Sequence, residues 1–421
     1  MLAHLPFLSS DIAFMFGRRK NPVPHSASIA LPCDAVRPDY GNGGLYGLIA
    51  TIRNYLEGEP WHPPGASNPD STGLQRTTRK LVFVLIDGLG DAFLQRFGSG
   101  SALLAHRKQK LTSVFPSTTA SAVTTTLTGL APATHGLTGW FIHDRRFGGV
   151  IAPLPMMRRT GGPVRGLLVL PRLFPYRTLF QRRKRASIFI SPESLAFSPF
   201  STRHSRGARV VPYRGIQGMN EAIIAAIGTL DGVGGYVHAY YPVFDALSHT
   251  HGCTADEVVA QFRRIDAAFA QLIDRLQGSG TDVVVSADHG FTDSPPERQV
   301  HLDTHHPAAR DLLTAPLFGE RRAAFCAVRP GAEADFQAFA AEALMGKAVL
   351  LRSQELLDSG LLGPGKTHRR LAERIGSHTL LMEAGWTICD HVAGERSHAM
   401  VGVHGGLSAE EMWVPLICAH C

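Results

Sequence analysis

Residues 81–90 read Leu81-Val-Phe-Val-Leu-Ile-Asp87-Gly-Leu-Gly90. Six apolar residues run without a polar break and stop at an aspartate in a glycine-rich turn. A strand with one wet face alternates apolar and polar side chains. An unbroken run is what a strand needs when helices cover both its faces, as in a parallel sheet. The turn leaves Asp87 at the carboxyl end of that strand, the edge along which open α/β sheets build their sites.

Two more runs repeat the form. Residues 235–240 (GYVHAY) lead into a loop that holds Asp245, and residues 282–287 (DVVVSA) pass directly into Asp288-His289-Gly290. Between them, residues 257–276 place apolar side chains at helical spacing with no internal Pro or Gly. Strand, helix and strand in this order predict an α/β fold with a doubly wound, mostly parallel central sheet and helices on both faces. The expected organisation is a single catalytic domain over residues 1–421. Residues 1–40 read as a variable N-terminal arm, 141–232 as a basic, Pro-rich, irregular insertion, and 292–400 as a smaller inserted cap subdomain. The cap contains a helical stretch at 333–344 and separates His289 from His404. Residues 18–40 and 57–78 read as loops on either side of a helix near 44–56.

Composition narrows the class. The chain has 421 residues, 44% apolar and 18% charged, which excludes a disordered protein. Net charge is +7, much of it from the stretch 158–185. No nucleic-acid-binding motif accompanies that charge, so it reads as a solvated surface that attracts anionic substrates, with a nucleic-acid or membrane-surface role as the competing reading and no nucleic-acid partner expected. Six cysteines in a chain this long do not make a disulfide framework, and Cys418 and Cys421 stand at a terminus expected to fray. A reduced, cytoplasmic protein is the default expectation. In the first twenty residues the positive charges follow the apolar run instead of preceding it, unlike a signal peptide. No run approaches the length of a transmembrane helix. Oligomeric state is left open.

Four segments carry metal-type ligands: Asp87; Asp245 and His249, four residues apart; Asp288-His289; and His404 in Gly402-Val-His-Gly-Gly406. A fifth, residues 115–130 (FPSTTASAVTTTLTGL), carries a cluster of hydroxyls. Each has an ordinary explanation alone: turn chemistry for Asp87, a surface pair for Asp245 and His249, a capped helix for the hydroxyls. Their joint order, with three of them following buried strands, argues for one site. Aspartate with neutral imidazole suits Zn²⁺, and the carboxylates tolerate other divalent ions.

With these motifs the sequence resembles the type I phosphodiesterase and nucleotide pyrophosphatase family of the alkaline phosphatase superfamily, from about Leu81 to Leu416. The resemblance is carried by VLIDGLG, FPSTTASAVTTTLTGLAPATHG, YPVFDALSHTHG, SADHGFTD and HGGLSAEEMWVPL. It implies two divalent metal ions, zinc by first expectation. Asp245, His249 and His404 would hold one; Asp87, Asp288 and His289 would hold the other, with Thr119 as a further ligand and the nucleophile. Thr119 is preferred to Thr118 because it lies nine residues before the threonine of Thr128-Gly-Leu130. The implied activity is metal-dependent hydrolysis of a phosphodiester or pyrophosphate, with nucleotide-like substrates as one candidate, through a phosphothreonine intermediate. The alternatives are phosphomonoester or phosphonate hydrolysis on the same metals, and a non-catalytic metal-containing binding protein. The partner is a small-molecule phosphate ester.

The sequence departs from the family in two places. The nucleophile segment reads Thr119-Ala-Ser-Ala122, and Trp140 stands where the family carries an asparagine that binds a phosphoryl oxygen. Ser121 or an arginine of the basic insertion is the expected substitute donor, and Tyr240 an expected substrate contact. His135 reads as structural. No sulfatase-type precursor motif occurs in the nucleophile segment.

Overall fold

A computed structural model describes residues 29–64, 80–232, 234–395 and 400–421. The first 28 residues of the proposed arm and most of the 57–78 loop lie outside them. The rest of the arm packs Ile29, Leu31 and Val36 on a core beneath the cap, and Val36 N–H donates to Leu407 O at 2.8 Å.

Seven strands form the central sheet: β1 (Lys80–Ile86), β2 (Arg107–Thr112), β3 (Ser187–Pro192), β4 (Arg209–Tyr213), β5 (Gly235–Tyr241), β6 (Thr281–Ser286) and β7 (Trp413–His420), in the spatial order β2-β7-β6-β1-β5-β3-β4. β1 lies between β5 and β6, parallel to both, and all seven of its residues are buried. That is the environment its unbroken apolar run predicts, each large aliphatic side chain contributing about 1.5–3 kcal/mol. Only β7 runs against the others, antiparallel to β2 and β6. The C-terminus therefore does not fray: Cys418 and Cys421 belong to the sheet and its edge, and Cys421 exchanges backbone hydrogen bonds with Thr281. All six cysteines are free.

Helices cover both faces. Val84, Ile86 and Val285 meet Met219, Ile265 and Phe269 of helices Gly215–Thr229 and Asp256–Arg275. The alternate residues Phe83 and His238 point the other way, toward Phe180 and Thr126 of helix Thr119–Thr128. Among the described residues, no helix is long and apolar enough to cross a membrane.

The reading of 141–232 as an irregular insertion is corrected. Its first part is a small antiparallel sheet of Ile142–Asp144, Gly149–Ala152 and Met157–Arg158. Its last part supplies β3, β4 and helix Gly215–Thr229, one flank of the central sheet. The cap region holds a four-stranded antiparallel sheet, Phe318–Gly319, Ala323–Cys326, His378–Met382 and Ala348–Arg352, in that spatial order. It packs over the carboxyl ends of the central strands through Glu320 and Arg322, described below.

Candidate metal centre

Three parallel strands bring their acidic ends together. Asp87 follows β1, Asp245 sits in helix Val243–His251 just after β5, and Asp288-His289 follow β6. The glycines of the first turn answer to this crowding. Gly88 has φ 78° and a Cβ there would strike Phe291, while a Cβ at Gly90 would lie 2.7 Å from the Gly290 backbone. Only glycine lets these two loops touch. Gly88 N–H then donates to Asp288 Oδ1 at 3.0 Å and fixes that carboxylate.

His249 and Asp245 share a helix face at i and i+4, with Nε2–Oδ1 at 3.5 Å. His404 follows the 292–400 segment, its Nε2 3.8 Å from Asp245 Oδ1 and 3.1 Å from His249 Nε2. His289 Nε2 lies 3.4 Å from Asp87 Oδ1, 3.4 Å from Asp288 Oδ2 and 4.0 Å from Asp245 Oδ1. Ligand atoms of Asp245, His249 and His404 lie within 4.8 Å of one another, as do those of Asp87, Asp245 and His289. Asp245 thus stands between two clusters, where the sequence had placed it in one.

Thr119 opens helix Thr119–Thr128, which starts after a tight turn at Ser117-Thr118. Its Oγ1 is 3.2 Å from His289 Nε2 and 3.4 Å from Asp87 Oδ1. Thr118 turns away and donates to Glu320 Oε1 at 2.6 Å, so geometry separates the two threonines as spacing had. The later threonines of the run are buried in this helix and bonded within it: Thr124, Thr125 and Thr128 donate to the carbonyls of Ala120, Ser121 and Thr124.

The electrostatics call for cations. Each histidine sets Nδ1 on a backbone carbonyl: His249 on Gly402 O at 2.8 Å, His289 on Gly290 O at 3.0 Å, His404 on Ser117 O at 3.2 Å. A carbonyl only accepts, so Nδ1 carries the hydrogen and Nε2 presents a lone pair to the centre. Burial holds the rings neutral, depressing His249 and His289 to about 4 and His404 well below its ordinary value. The Nε2 lone pairs of His249 and His404 consequently face each other and Asp245. Burial, joined by mutual repulsion, pushes the carboxyls of Asp87 and Asp245 up, and burial does the same to Asp288. Asp245 Oδ1 and Asp288 Oδ2 are buried without a hydrogen-bond partner. Converging acceptors with no donor among them are what a bound cation resolves, and the Asp/His donor set fits divalent zinc-type ions.

The proposed substrate contacts fare differently. Ser121 is fully buried and its Oγ donates to Leu137 O at 2.9 Å, so it offers a substrate nothing; this corrects the expectation. Tyr240 donates its hydroxyl to Asp87 Oδ2 and so orients a carboxylate of the cluster. Trp140 is 42% exposed, and its backbone N–H donates to Glu320 Oε1 at 2.5 Å. His135 is buried, accepting from Leu137 N–H at 3.1 Å.

Sequence reasoning missed Glu320, Arg322 and Glu411. Glu320 reaches from the cap to Thr118 and lines a cavity of about 330 Å³ with Trp140, Phe141 and Arg321. Burial pushes its carboxyl up to about 7. Arg322 and Glu411 form a fully buried pair, with Nε–Oε1 at 3.1 Å and Nη2–Oε2 at 2.7 Å. Glu411 also accepts from Gly406 N–H at 2.7 Å and so holds the loop that presents His404. The only sequence signal was Ser408-x-x-Glu411, a helix-start pattern of which the structure makes one half, the Glu411 carboxylate accepting from Ser408 N–H at 3.3 Å.

The family model described as type I phosphodiesterase / nucleotide pyrophosphatase matches residues 81–407. Comparison with curated proteins gives no match. Among solved structures, murine ectonucleotide pyrophosphatase / phosphodiesterase 5 is similar at 17% identity and TM-score 0.60, over 80% of this chain and 87% of that one. Its human counterpart is similar at 18% identity and TM-score 0.59, over 80% and 87%. Phosphonoacetate hydrolase from Sinorhizobium meliloti 1021 is similar at 15% identity and TM-score 0.60, over 81% and 90%. These likenesses show the alkaline phosphatase-type fold, and the family match spans more than half of the sequence. The chain belongs to the type I phosphodiesterase / nucleotide pyrophosphatase family, a family of phosphoric ester hydrolases.

Proposed function

We propose that the protein hydrolyses a phosphodiester or pyrophosphate through attack by Thr119, with two divalent metal ions bound by Asp245, His249 and His404 and by Asp87, Asp288 and His289. The observation that carries this reading is the position of Thr119 Oγ1, 3.2 Å from His289 Nε2 and 3.4 Å from Asp87 Oδ1 at the start of a buried helix. When bound, such ions lower the pKa of a hydroxyl and neutralise charge on the attacking and leaving oxygens.

The chain supplies the rest. Acceptors surround the Thr119 hydroxyl, which favours its loss of a proton toward a carboxylate. Its oxygen then bonds to phosphorus as the ester bond to the leaving group breaks. Water hydrolyses the resulting phosphothreonine and restores the hydroxyl. The N-terminal amides of helix Thr119–Thr128 suit a phosphoryl oxygen. Trp140 and Glu320 border the cavity in which the second substituent on phosphorus would lie.

Thr119→Ala is the test. Metal should remain bound while turnover of bis-p-nitrophenyl phosphate falls on the order of 10³–10⁶-fold, as when other enzymes lose a nucleophile. Ordinary turnover in the variant would refute the assignment. The similar murine enzyme has been crystallised as an inactive threonine-to-alanine variant with AMP, which supports the choice of residue type. Trp140 stands where the family's phosphoryl-binding asparagine would, so the resemblance does not carry a nucleotide substrate over to this chain, and phosphonate hydrolysis on the same metals is the second reading. Phosphate release from phosphonoacetate exceeding diester turnover would select it.

A further inference from the structure

Between Asp144 and Glu193 the chain carries eleven Arg or Lys and no Asp or Glu, a surplus larger than the net charge of the whole protein. Its middle folds into strand Met157–Arg158, a loop, and the short helix Val169–Leu173. These enclose a depression of about 350 Å³ lined by Arg146, Arg158, Arg165, Arg172, Leu167 and Leu168. Arg146 pairs with Asp144, a carboxylate it shares with the buried Arg374. Arg158 donates only to carbonyls, Phe147 O at 3.2 Å and Pro163 O at 2.9 Å, and keeps its charge. Arg165 and Arg172 are exposed and have no acidic partner among the described residues. At the rim Leu167 is 98% exposed and Leu168 52%, with Met157 at 39% nearby.

The arginines alone would suit any polyanion. The leucines narrow the choice, because a phosphate backbone offers nothing to an exposed leucine beside a half-exposed one. Anionic phospholipid satisfies both: phosphate headgroups for the guanidiniums and the acyl boundary for the side chains between them. We propose that the face built by residues 157–173 docks on an anionic phospholipid surface. Arg158 belongs to this face while its neighbour Arg159 lines the cavity beside Glu320. Docking would therefore set the substrate cavity directly behind the contact, though the proposal does not depend on the catalytic reading.

The test is co-sedimentation of the full chain with vesicles of phosphatidylcholine, or of phosphatidylcholine and phosphatidylglycerol in equal parts. Binding is expected on the mixed vesicles, falling steeply with salt, and not on phosphatidylcholine alone. Arg165→Gln with Arg172→Gln should lower partitioning about 25-fold, about fivefold for each arginine near a charged membrane. Leu167→Glu with Leu168→Glu should lower it at least as far. Leu167→Ser, at a position wholly in solvent, is the second variant should the double change disturb melting. Equal binding to both vesicles, no binding to either, or variants that bind like the parent would overturn the proposal. So would two other patterns: arginine-dependent retention of duplex RNA with the leucines indifferent, or leucine changes that dissolve a dimer and leave vesicle binding intact.

Discussion

Removing the carboxylate of Glu411 separates what holds the fold from what shapes the site. Glu411 and Arg322 are 0% and 1% exposed as side chains, and the carboxylate also takes Gly406 N–H at 2.7 Å and Ser408 N–H at 3.3 Å. Burial alone would raise the pKa of Glu411, but the Arg322 guanidinium and these donors hold it below the usual carboxylate range. Glu411→Ala strands a buried guanidinium whose remaining bonds are to the carbonyls of Glu383 and Trp386. The expected cost is about 3–5 kcal/mol, a large part of the 5–15 kcal/mol typical of a folded protein. The double change Arg322→Met with Glu411→Leu removes both charges and should recover most of that loss, since apolar replacements of buried pairs are often neutral. It does not restore the acceptor for Gly406 N–H, so the His404 loop stays unanchored. Denaturant melts should therefore show stability recovered in the double variant, while turnover and metal content stay depressed, about 10–100-fold for a lost supporting contact. Full turnover in the double variant would refute the claim that Glu411 positions His404. A loss below about 1 kcal/mol in Glu411→Ala would refute the buried-pair reasoning.

Two further outcomes are expected. Tyr240→Phe removes the hydrogen bond to Asp87 Oδ2 but keeps the ring, and should reduce turnover about 10–100-fold with little change in melting; unchanged turnover would make that bond irrelevant to the site. Burial also holds His204 and His238 neutral, each near 3 in the fold, against about 6.5 unfolded. Below pH 6.5 the unfolded chain takes up protons that the fold refuses, so stability is complete above that pH and drains as pH falls toward 3. The cost is about 1.4 kcal/mol per pH unit for each histidine, near 2 kcal/mol each by pH 5. His238→Phe, placed among Phe83, Phe180 and Phe189, should flatten the pH dependence measured by urea unfolding by one histidine's share, and an unchanged slope would contradict it.

What was legible in the sequence was whatever depends on neighbours along the chain. The three central strands are continuous apolar runs, and their ligands follow within a few residues, so both could be read locally. β3 and β4 were not: RVVPY is a five-residue edge strand with a proline inside it, and SIFISP, its inner neighbour, runs straight into a proline and carries no metal-type ligand to mark its end. Ser121 was misjudged because helix phase, invisible in a run of hydroxyls, turns it toward Leu137. Glu320 and Arg322 escaped notice because they act across 202 residues to Thr118 and 89 residues to Glu411, and no local pattern marks such a contact. The position of Asp245 between both clusters likewise emerges only when β1, β5 and β6 lie side by side.

Six Asp and His side chains whose lone pairs converge are expected to hold two catalytic metal ions. Metal content of the purified protein, read together with bis-p-nitrophenyl phosphate turnover before and after chelation, tests it most directly. About two divalent ions per chain are expected, with activity lost on chelation and restored by zinc or another divalent ion. A protein that binds no metal, or that turns over the diester equally well after complete removal of metal, would contradict it.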